Sequence, residues 1–213
     1  MPRKKKIELP KKYISYSAWQ LWKSSKTQFR DKYYEGKKSH ENIYSIFGRE
    51  VHKKIEIGEI GLPPPLHNSQ REVAINTHIE GIPVLAYVDI LNVDLPLLAD
   101  VKTGKRNKDG ESPWTELSVY KHEQLPFYAL AVEAEYGVKI REGYIFWLET
   151  GFNTVIERIG SREIETDGSD LVLTGHSEII RREIYENELE KMRADFVKDV
   201  HAISEDWKEY REK

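Results

Sequence analysis

The chain has 213 residues, a formal net charge of -3 and no cysteine. Its hydrophobic fraction of 39% allows one buried core, and its charged fraction of 32% predicts a highly charged surface. The lack of cysteine excludes disulfides, thiolate zinc sites, cysteine-ligated iron–sulfur clusters and cysteine nucleophiles. No apolar run has the length of a membrane span and no signal core follows the basic N-terminus, so we expect a soluble, intracellular (cytoplasmic) protein that binds no membrane.

Two helices are predicted in the first third of the chain. Ser15 or Ser17 can cap the first helix, which is rich in aromatic residues and ends at Gly36. The second helix covers residues 44–57 and is followed by glycines and a run of prolines that interrupt regular structure.

A three-stranded meander follows these helices. Apolar and polar residues alternate over 73–79, and turn residues separate this strand from apolar runs at 84–91 and 97–102. The polar, basic stretch 103–113 then predicts a loop.

The rest of the chain predicts a helix, further strands and a last helix. The helix covers 115–136, should kink or split at Pro126, and ends at Gly137. Strands at 142–148 and 154–159 are predicted to form a hairpin.

A short hairpin near Asp167-Gly168 and a long amphipathic helix at 177–211 complete the predicted elements. This order predicts an α/β fold with a mixed central β-sheet flanked by helices. We expect residues 1–12 to form a flexible basic arm and residues 13–213 a single domain with a long C-terminal helix.

Acidic residues lie near the ends of two neighbouring predicted strands. Asp89 ends one strand, and Asp100 and Lys102 lie two residues apart in the next. Residues i and i+2 share a face of a strand, and a hairpin would bring Asp89 to the same surface. Carboxylates are ligands for Mg²⁺ or Mn²⁺, and a lysine beside them can position a water and offset charge on a phosphate. The set therefore indicates metal-assisted phosphodiester hydrolysis.

This spacing alone is not specific, because Asp206-Trp-Lys208 repeats it in the predicted C-terminal helix. Both strand-end acids could instead face water. Gln124 and Tyr128, four residues apart on a helix, could hydrogen-bond the lysine or a DNA phosphate. They could equally be surface or half-buried residues.

Other candidates carry weaker signals. His52 projects from the second helix beyond Gly48 and is either a metal ligand or an ordinary surface or core histidine. Glu72 opens the first strand and could reach the site, but its preferred interpretation is a solvated strand end. The basic residues 102–108 and Trp114 could contact phosphate and base, or be solvated and packed on the next helix.

Four motifs in chain order resemble those of the PD-(D/E)xK nuclease superfamily, in particular its RecB-like and phage exonuclease branch. The matched residues are Tyr16-Ser17, Gly48-x-x-x-His52, Asp89 with Asp100-Val101-Lys102, and Gln124-x-x-x-Tyr128. The resemblance implies a restriction-endonuclease-like core. Many relatives bind an iron–sulfur cluster through cysteines, which this chain cannot do.

The resemblance also implies a site and an activity. Its metal ligands for Mg²⁺ or Mn²⁺ would be His52, Asp89, Asp100 and the Val101 carbonyl. Its catalytic lysine would be Lys102, supported by Gln124 and Tyr128. The implied function is a deoxyribonuclease, an exonuclease acting on DNA ends or single strands in recombination, repair or phage DNA metabolism, with any helicase or recombination partner on a separate chain. The alternatives are an inactive nuclease-fold module that binds DNA or protein, and a structure-specific endonuclease. No sequence signature indicates an oligomeric state.

Overall fold

A computed structural model describes residues 7–38, 41–159 and 162–213, with the backbone alone between residues 155 and 168. The elements of this part of the chain are α1 Tyr16–Ser24, α2 Lys26–Tyr33, α3 Ile43–Glu56, β1 Gln70–Ile79, β2 Ile82–Asn92, β3 Leu97–Gly104, α4 Glu116–Tyr120, α5 Gln124–Tyr136, β4 Glu142–Ile159, β5 Arg162–Glu183 and α6 Glu186–Arg211. Within the described residues, no helix is both long enough and apolar enough to cross a membrane.

The five strands form one mixed sheet in the order β1-β2-β3-β4-β5. All neighbouring pairs are antiparallel except β3 and β4, which are parallel and are joined by a crossover through α4 and α5. One face of the sheet packs on aromatic residues of α1, α5 and α6, including Trp19, Phe127 and Phe196. The other face packs on Val51 and Ile55 of α3. The predicted α/β fold with a mixed sheet flanked by helices is confirmed.

The first predicted helix is divided into two in the structure. Ser15 caps α1 as predicted, but Ser25 adopts extended backbone, ends α1 and caps α2 by accepting a hydrogen bond from the Gln28 amide. Trp22 and Phe29 pack edge-to-face across the division, with ring centroids 5.3 Å apart. The aromatic pattern therefore continues through a helix break that a serine creates.

The crossover is also divided, but not at Pro126. The break lies at residues 121–123, and Pro126 is the third residue of α5. An amide in the first turn of a helix has no helical partner, so proline costs nothing there and produces no kink. Gly137 ends α5 in the left-handed conformation, with φ of 68°, as predicted.

The last two strands differ most from their prediction. The separate strands expected at 142–148 and 154–159 are one strand, β4, and they do not pair with each other. Gly151, which suggested a turn, pairs with Val172 inside the ladder, and register shifts lie on both sides of it. The hairpin expected near Asp167 is wrong as well, because Asp167 is paired with Thr154 inside the β4–β5 ladder.

The C-terminal helix begins later than predicted. Residues 177–183 belong to β5, where Glu178 and Ile179 pair with Trp147 and Phe146. Pairing with a long neighbouring strand satisfies this backbone and overrides the helical pattern of its side chains.

The segment before α1 is held against the domain at its described end. Ile7 and Leu9 pack on the core, and the Glu8 amide donates to Ser204 Oγ at 2.9 Å. Of the arm predicted over residues 1–12, residues 1–6 lie outside the described part of the chain.

The repeat of the acid–lysine spacing in α6 has a structural role. Asp206 accepts hydrogen bonds from Arg30 Nε and the Tyr34 hydroxyl, each at 2.9 Å. These contacts tie α6 to α2. The hydrogen bond from Arg30 lowers the pKa of Asp206, although burial raises it.

Asp206→Asn is expected to lower the free energy of unfolding at neutral pH by about 1 kcal/mol, since one partner is a partly exposed arginine. A carboxyl whose pKa is lowered by folding stabilises above its ordinary pKa and loses that contribution as pH falls through its folded value. Urea denaturation between neutral pH and pH 3 should therefore show that the free energy of unfolding falls less with decreasing pH in the variant than in the wild type. Glu190→Gln, an exposed change on the same helix, should leave the wild-type profile; an identical profile for both variants would contradict the assignment.

Candidate active site

Asp89 lies where β2 and β3 separate. The ladder between these strands ends at the pair Ile90 and Ala99. Just beyond it, Asp89 Oδ2 accepts a hydrogen bond from the Val101 amide at 2.6 Å. The Asp89 side chain thus binds the Val101 amide, which would bind a backbone carbonyl of β2 if the ladder continued. Asp89 therefore lies just past the last backbone pair of the β2–β3 hairpin that the sequence predicts.

Asp100 is almost fully buried and binds two cationic or basic side chains. Its Oδ2 lies 2.6 Å from Lys102 Nζ and 3.0 Å from His122 Nε2. Burial raises the pKa of Asp100, but the His122 hydrogen bond and the Lys102 charge outweigh it and lower the pKa overall. Asp100 is therefore held ionised beside the lysine, as the i, i+2 spacing predicts.

Asp89 has the opposite balance. Burial, and then the negative charge of Asp100, raise the pKa of Asp89 to about 8. The charge of His52 and the Val101 amide offset only part of this. Two carboxyl groups close together in a buried setting disfavour double ionisation, and a nearby cation removes that cost.

His52 and Glu72 complete a cluster around Asp89. His52 Nδ1 lies 3.0 Å from Glu72 Oε1 and 3.5 Å from Asp89 Oδ1, and one ligand atom of each residue lies within 4.8 Å of the others. Burial lowers the pKa of His52, but the Glu72 hydrogen bond and then the Asp89 charge raise it overall.

Glu72 was expected to be a solvated strand end, and that interpretation is wrong. Its strand neighbours Arg71 and Val73 pair with Ile90 and Val88, which places Glu72 directly opposite Asp89. Its φ of 49° is in the left-handed region, which is unusual for a glutamate. Strain of this kind often accompanies a functional position.

The cluster of His52, Glu72 and Asp89 suits a divalent cation. Carboxylate oxygens are hard ligands for Mg²⁺ and Mn²⁺, and an imidazole favours Mn²⁺ or another transition metal. Burial, and then the negative charge of Asp100, raise the pKa of Asp89, and a bound cation would favour its ionised form. Asp100 is turned toward Lys102 and His122 and is not a member of this cluster. Its role as a ligand, like that of the Val101 carbonyl, stays a prediction.

The predicted glutamine and tyrosine of α5 reach the lysine. Gln124 Oε1 accepts from Lys102 Nζ at 3.2 Å, and Gln124 Nε2 donates to the Tyr128 hydroxyl at 2.7 Å. Burial raises the pKa of Tyr128. Because the Gln124 amide nitrogen donates to the Tyr128 hydroxyl, the Gln124 amide oxygen faces the Lys102 ammonium group.

His122 was missed by sequence reasoning. It contacts Asp100 and stacks edge-to-face on Trp114, with ring centroids 5.2 Å apart. Trp114 thus packs on the turn between α4 and α5, within the segment that the sequence predicts as the next helix. The only signal in the sequence was the position of His122 two residues before Gln124. It became meaningful only when the helix break at 121–123 turned the imidazole toward the sheet.

Arg182 of β5 was missed as well, and it anchors the turn that carries His122. Its side chain is 3% exposed. Both carboxylate oxygens of Glu188 accept from Nη2 at 2.6 Å. Nη1 donates to the backbone carbonyls of Val119, Tyr120 and His122. These carbonyls lie at the C-terminal end of α4 and in the turn that follows it, where the helix dipole favours a cation.

A model of the PD-(D/E)XK nuclease superfamily matches residues 87–212. The chain belongs to this superfamily. The match includes Asp89, Asp100, Lys102 and the α5 motif.

Two solved structures are similar to the chain in fold. A protein from Eubacterium rectale named as an exonuclease has a TM-score of 0.57 and 10% identity, over 92% of this chain and 82% of its own. A phage-related exonuclease from Haemophilus somnus 129PT has a TM-score of 0.52 and 14% identity, over 89% of this chain and 82% of its own. At these identities the likeness shows the fold alone. No curated protein sequence matches the chain significantly.

Proposed function

We propose that this PD-(D/E)XK protein is a Mg²⁺- or Mn²⁺-dependent deoxyribonuclease, and specifically an exonuclease of recombination, repair or phage DNA metabolism. One observation carries the proposal. Lys102 Nζ lies 2.6 Å from buried Asp100 and lines the same 770 Å³ cavity as the cluster of His52 and Asp89. A cluster that can bind a cation and a half-buried lysine paired with a carboxylate, both lining one cavity, are the parts that phosphodiester hydrolysis needs.

Each side chain has a role in that chemistry. A divalent cation held by His52, Glu72 and Asp89 would polarise a phosphoryl oxygen and acidify a water. Lys102 positions the attacking water and offsets the negative charge that grows on the phosphate. Gln124, which Tyr128 orients, accepts a hydrogen bond from the ammonium group and holds it beside Asp100.

The charges themselves disfavour a module that only binds. Asp89 and Asp100 are both buried, and their mutual repulsion contributes to the raised pKa of Asp89. A protein that merely docks on DNA gains nothing from such a destabilising pair. The names of the two solved structures support the exonuclease rather than the endonuclease form of the activity.

The test compares end-labelled linear DNA, single-stranded DNA and covalently closed circular DNA, each with Mn²⁺, Mg²⁺ or EDTA. We expect mononucleotides or short products from linear and single-stranded DNA, no cleavage of the closed circle, and no activity in EDTA. Metal-dependent nicking of the closed circle would establish an endonuclease instead. DNA binding without any metal-dependent cleavage would establish the binding module.

Arg182→Lys is expected to lower kcat for DNA cleavage with little change in KM. Lysine keeps the charge but cannot bridge three carbonyls and a carboxylate, so the turn bearing His122 loosens. It also destabilises the domain, by about 2 kcal/mol. Leu189→Ala, which removes buried packing from the same end of α6, is the matched control for stability. At a temperature where both variants are folded, equal kcat values would show that Arg182 is merely structural.

A further inference from the structure

The active-site cavity shares two lining residues with a second cavity beside α1. The second cavity has a volume of 510 Å³ and is lined by polar residues of α1, including Ser15 and Ser17. Tyr87 and Tyr128 line both cavities. Tyr87 is 55% exposed and lies two residues before Asp89 on the same strand face. The shared tyrosines place the two cavities side by side, so a chain-like ligand in the active site would follow a path past Tyr87 toward α1.

The path extends to the surface of α2. Leu21 lines the second cavity and also a 440 Å³ cleft that includes Lys32 and Lys38. Both lysines also line a neighbouring 900 Å³ cleft, together with Lys11 and Tyr33. We call the surface formed by Lys11, Lys32, Lys38 and Tyr33 the lysine cleft.

One carboxylate, that of Glu41, also lines the 900 Å³ cleft, and it is paired with Arg49 at 2.6 Å. The ammonium groups of Lys11 and Lys32 lie 4.9 and 5.6 Å from the centre of the Tyr33 ring. Neither forms an ion pair with a residue in the described ranges. Lys37 differs, because it is paired with Asp31 at 2.7 Å and Glu35 at 2.8 Å. Exposed lysines without carboxylate partners are free to bind an anion.

We propose that the lysine cleft binds the phosphate backbone of the nucleic acid strand whose adjacent segment occupies the active site. Charge and position identify the ligand. Shared lining residues connect the lysine cleft to the active-site cavity, so one ligand could contact both. A polyanion long enough to do so is a polynucleotide. Tyr87, exposed between the two cavities, offers a ring on which a base can stack. The identity of the strand as substrate rests on the proposed function, but the binding itself does not.

The test measures binding of fluorescent dT20 in EDTA, where cleavage cannot interfere, as a function of salt. Each lysine–phosphate contact to a single strand contributes about 0.7 to the slope of log K against log salt. The triple variant Lys11→Gln, Lys32→Gln, Lys38→Gln should therefore reduce the slope by about 2 and weaken binding at least roughly tenfold at low salt. The matched control replaces Lys54, Lys139 and Lys198, exposed lysines that line none of these cavities, and should keep the wild-type slope.

Substrate length gives a second readout. The triple variant should cleave dT4 in Mn²⁺ at the wild-type rate, because the active site is unchanged, and should lose the gain in affinity from dT4 to dT20. A wild-type slope for the triple variant, or an equal loss in the control, overturns the lysine cleft even if DNA is cleaved. Loss of slope in a protein that never cleaves DNA supports the cleft and refutes the proposed nuclease function.

Discussion

Replacement of Lys102 by methionine is expected to reduce the rate of DNA cleavage by roughly 10²–10³-fold or more while leaving DNA binding nearly unchanged. The ammonium group is paired with Asp100 at 2.6 Å and oriented by Gln124. Methionine keeps the length of the side chain but supplies no charge to the water or the phosphate. The loss should therefore appear in kcat rather than in KM.

Single-turnover cleavage of linear DNA with saturating Mn²⁺ measures this effect. Lys105→Met is the matched control, because Lys105 is exposed in the following loop and lies over the Phe152 ring instead of an acid. Cleavage by the Lys102 variant at the wild-type rate would refute the proposed role of the lysine. Equal losses in both variants would point to a general effect of charge on DNA binding.

Asp89→Asn is expected to make the protein more stable and inactive at once. The asparagine oxygen can still accept from the Val101 amide, but the like-charge repulsion with Asp100 disappears. We expect the free energy of unfolding above pH 8 to rise by roughly 0.5–2 kcal/mol, the usual gain from a single stabilising substitution. Cleavage should be lost because the cluster of His52, Glu72 and Asp89 loses one of its carboxylate ligands for the metal.

The pH dependence has a definite sign. The folded protein raises the pKa of Asp89 from 3.8 to about 8, so between these values the folded state binds more protons than the unfolded state. Stability is therefore present at low pH and is lost as pH rises through this window. The asparagine variant should lack that loss.

Urea denaturation in EDTA at pH 5 and pH 9 tests the sign, with Asp94→Asn in the exposed β2–β3 turn as the control. Added Mn²⁺ should raise the unfolding temperature of the wild type and the control but not that of the Asp89 variant. A variant that is less stable than wild type at pH 9, or that is stabilised equally by Mn²⁺, would contradict the assignment of Asp89.

Local sequence patterns predicted those parts of the site that depend on short-range geometry. Asp100 and Lys102 meet because residues two apart on a strand share a face, and Asp89 joins them because a short turn links adjacent strands. Gln124 and Tyr128 meet because residues four apart share a face of a helix. None of these relations needs knowledge of distant parts of the chain.

The parts that were missed or interpreted differently depend on long-range packing. Glu72 enters the cluster because the β1–β2 register places it opposite Asp89. His122 reaches Asp100 because the crossover breaks before α5, and that turn is held by Arg182 from a strand some sixty residues later. The sequence of residues 177–183 has a helical pattern, but pairing with β4 makes it a strand.

By itself, the sequence determined the class of fold, the order of most elements and the acid–lysine pair with its α5 support, since each follows from a period of two or four residues. Only the tertiary structure decided that Glu72 joins His52 and Asp89, that His122 contacts Asp100, and that the lysine cleft forms. These depend on which strand pairs with which and on where helices end, and such choices are settled by the burial of the whole core rather than by neighbouring residues.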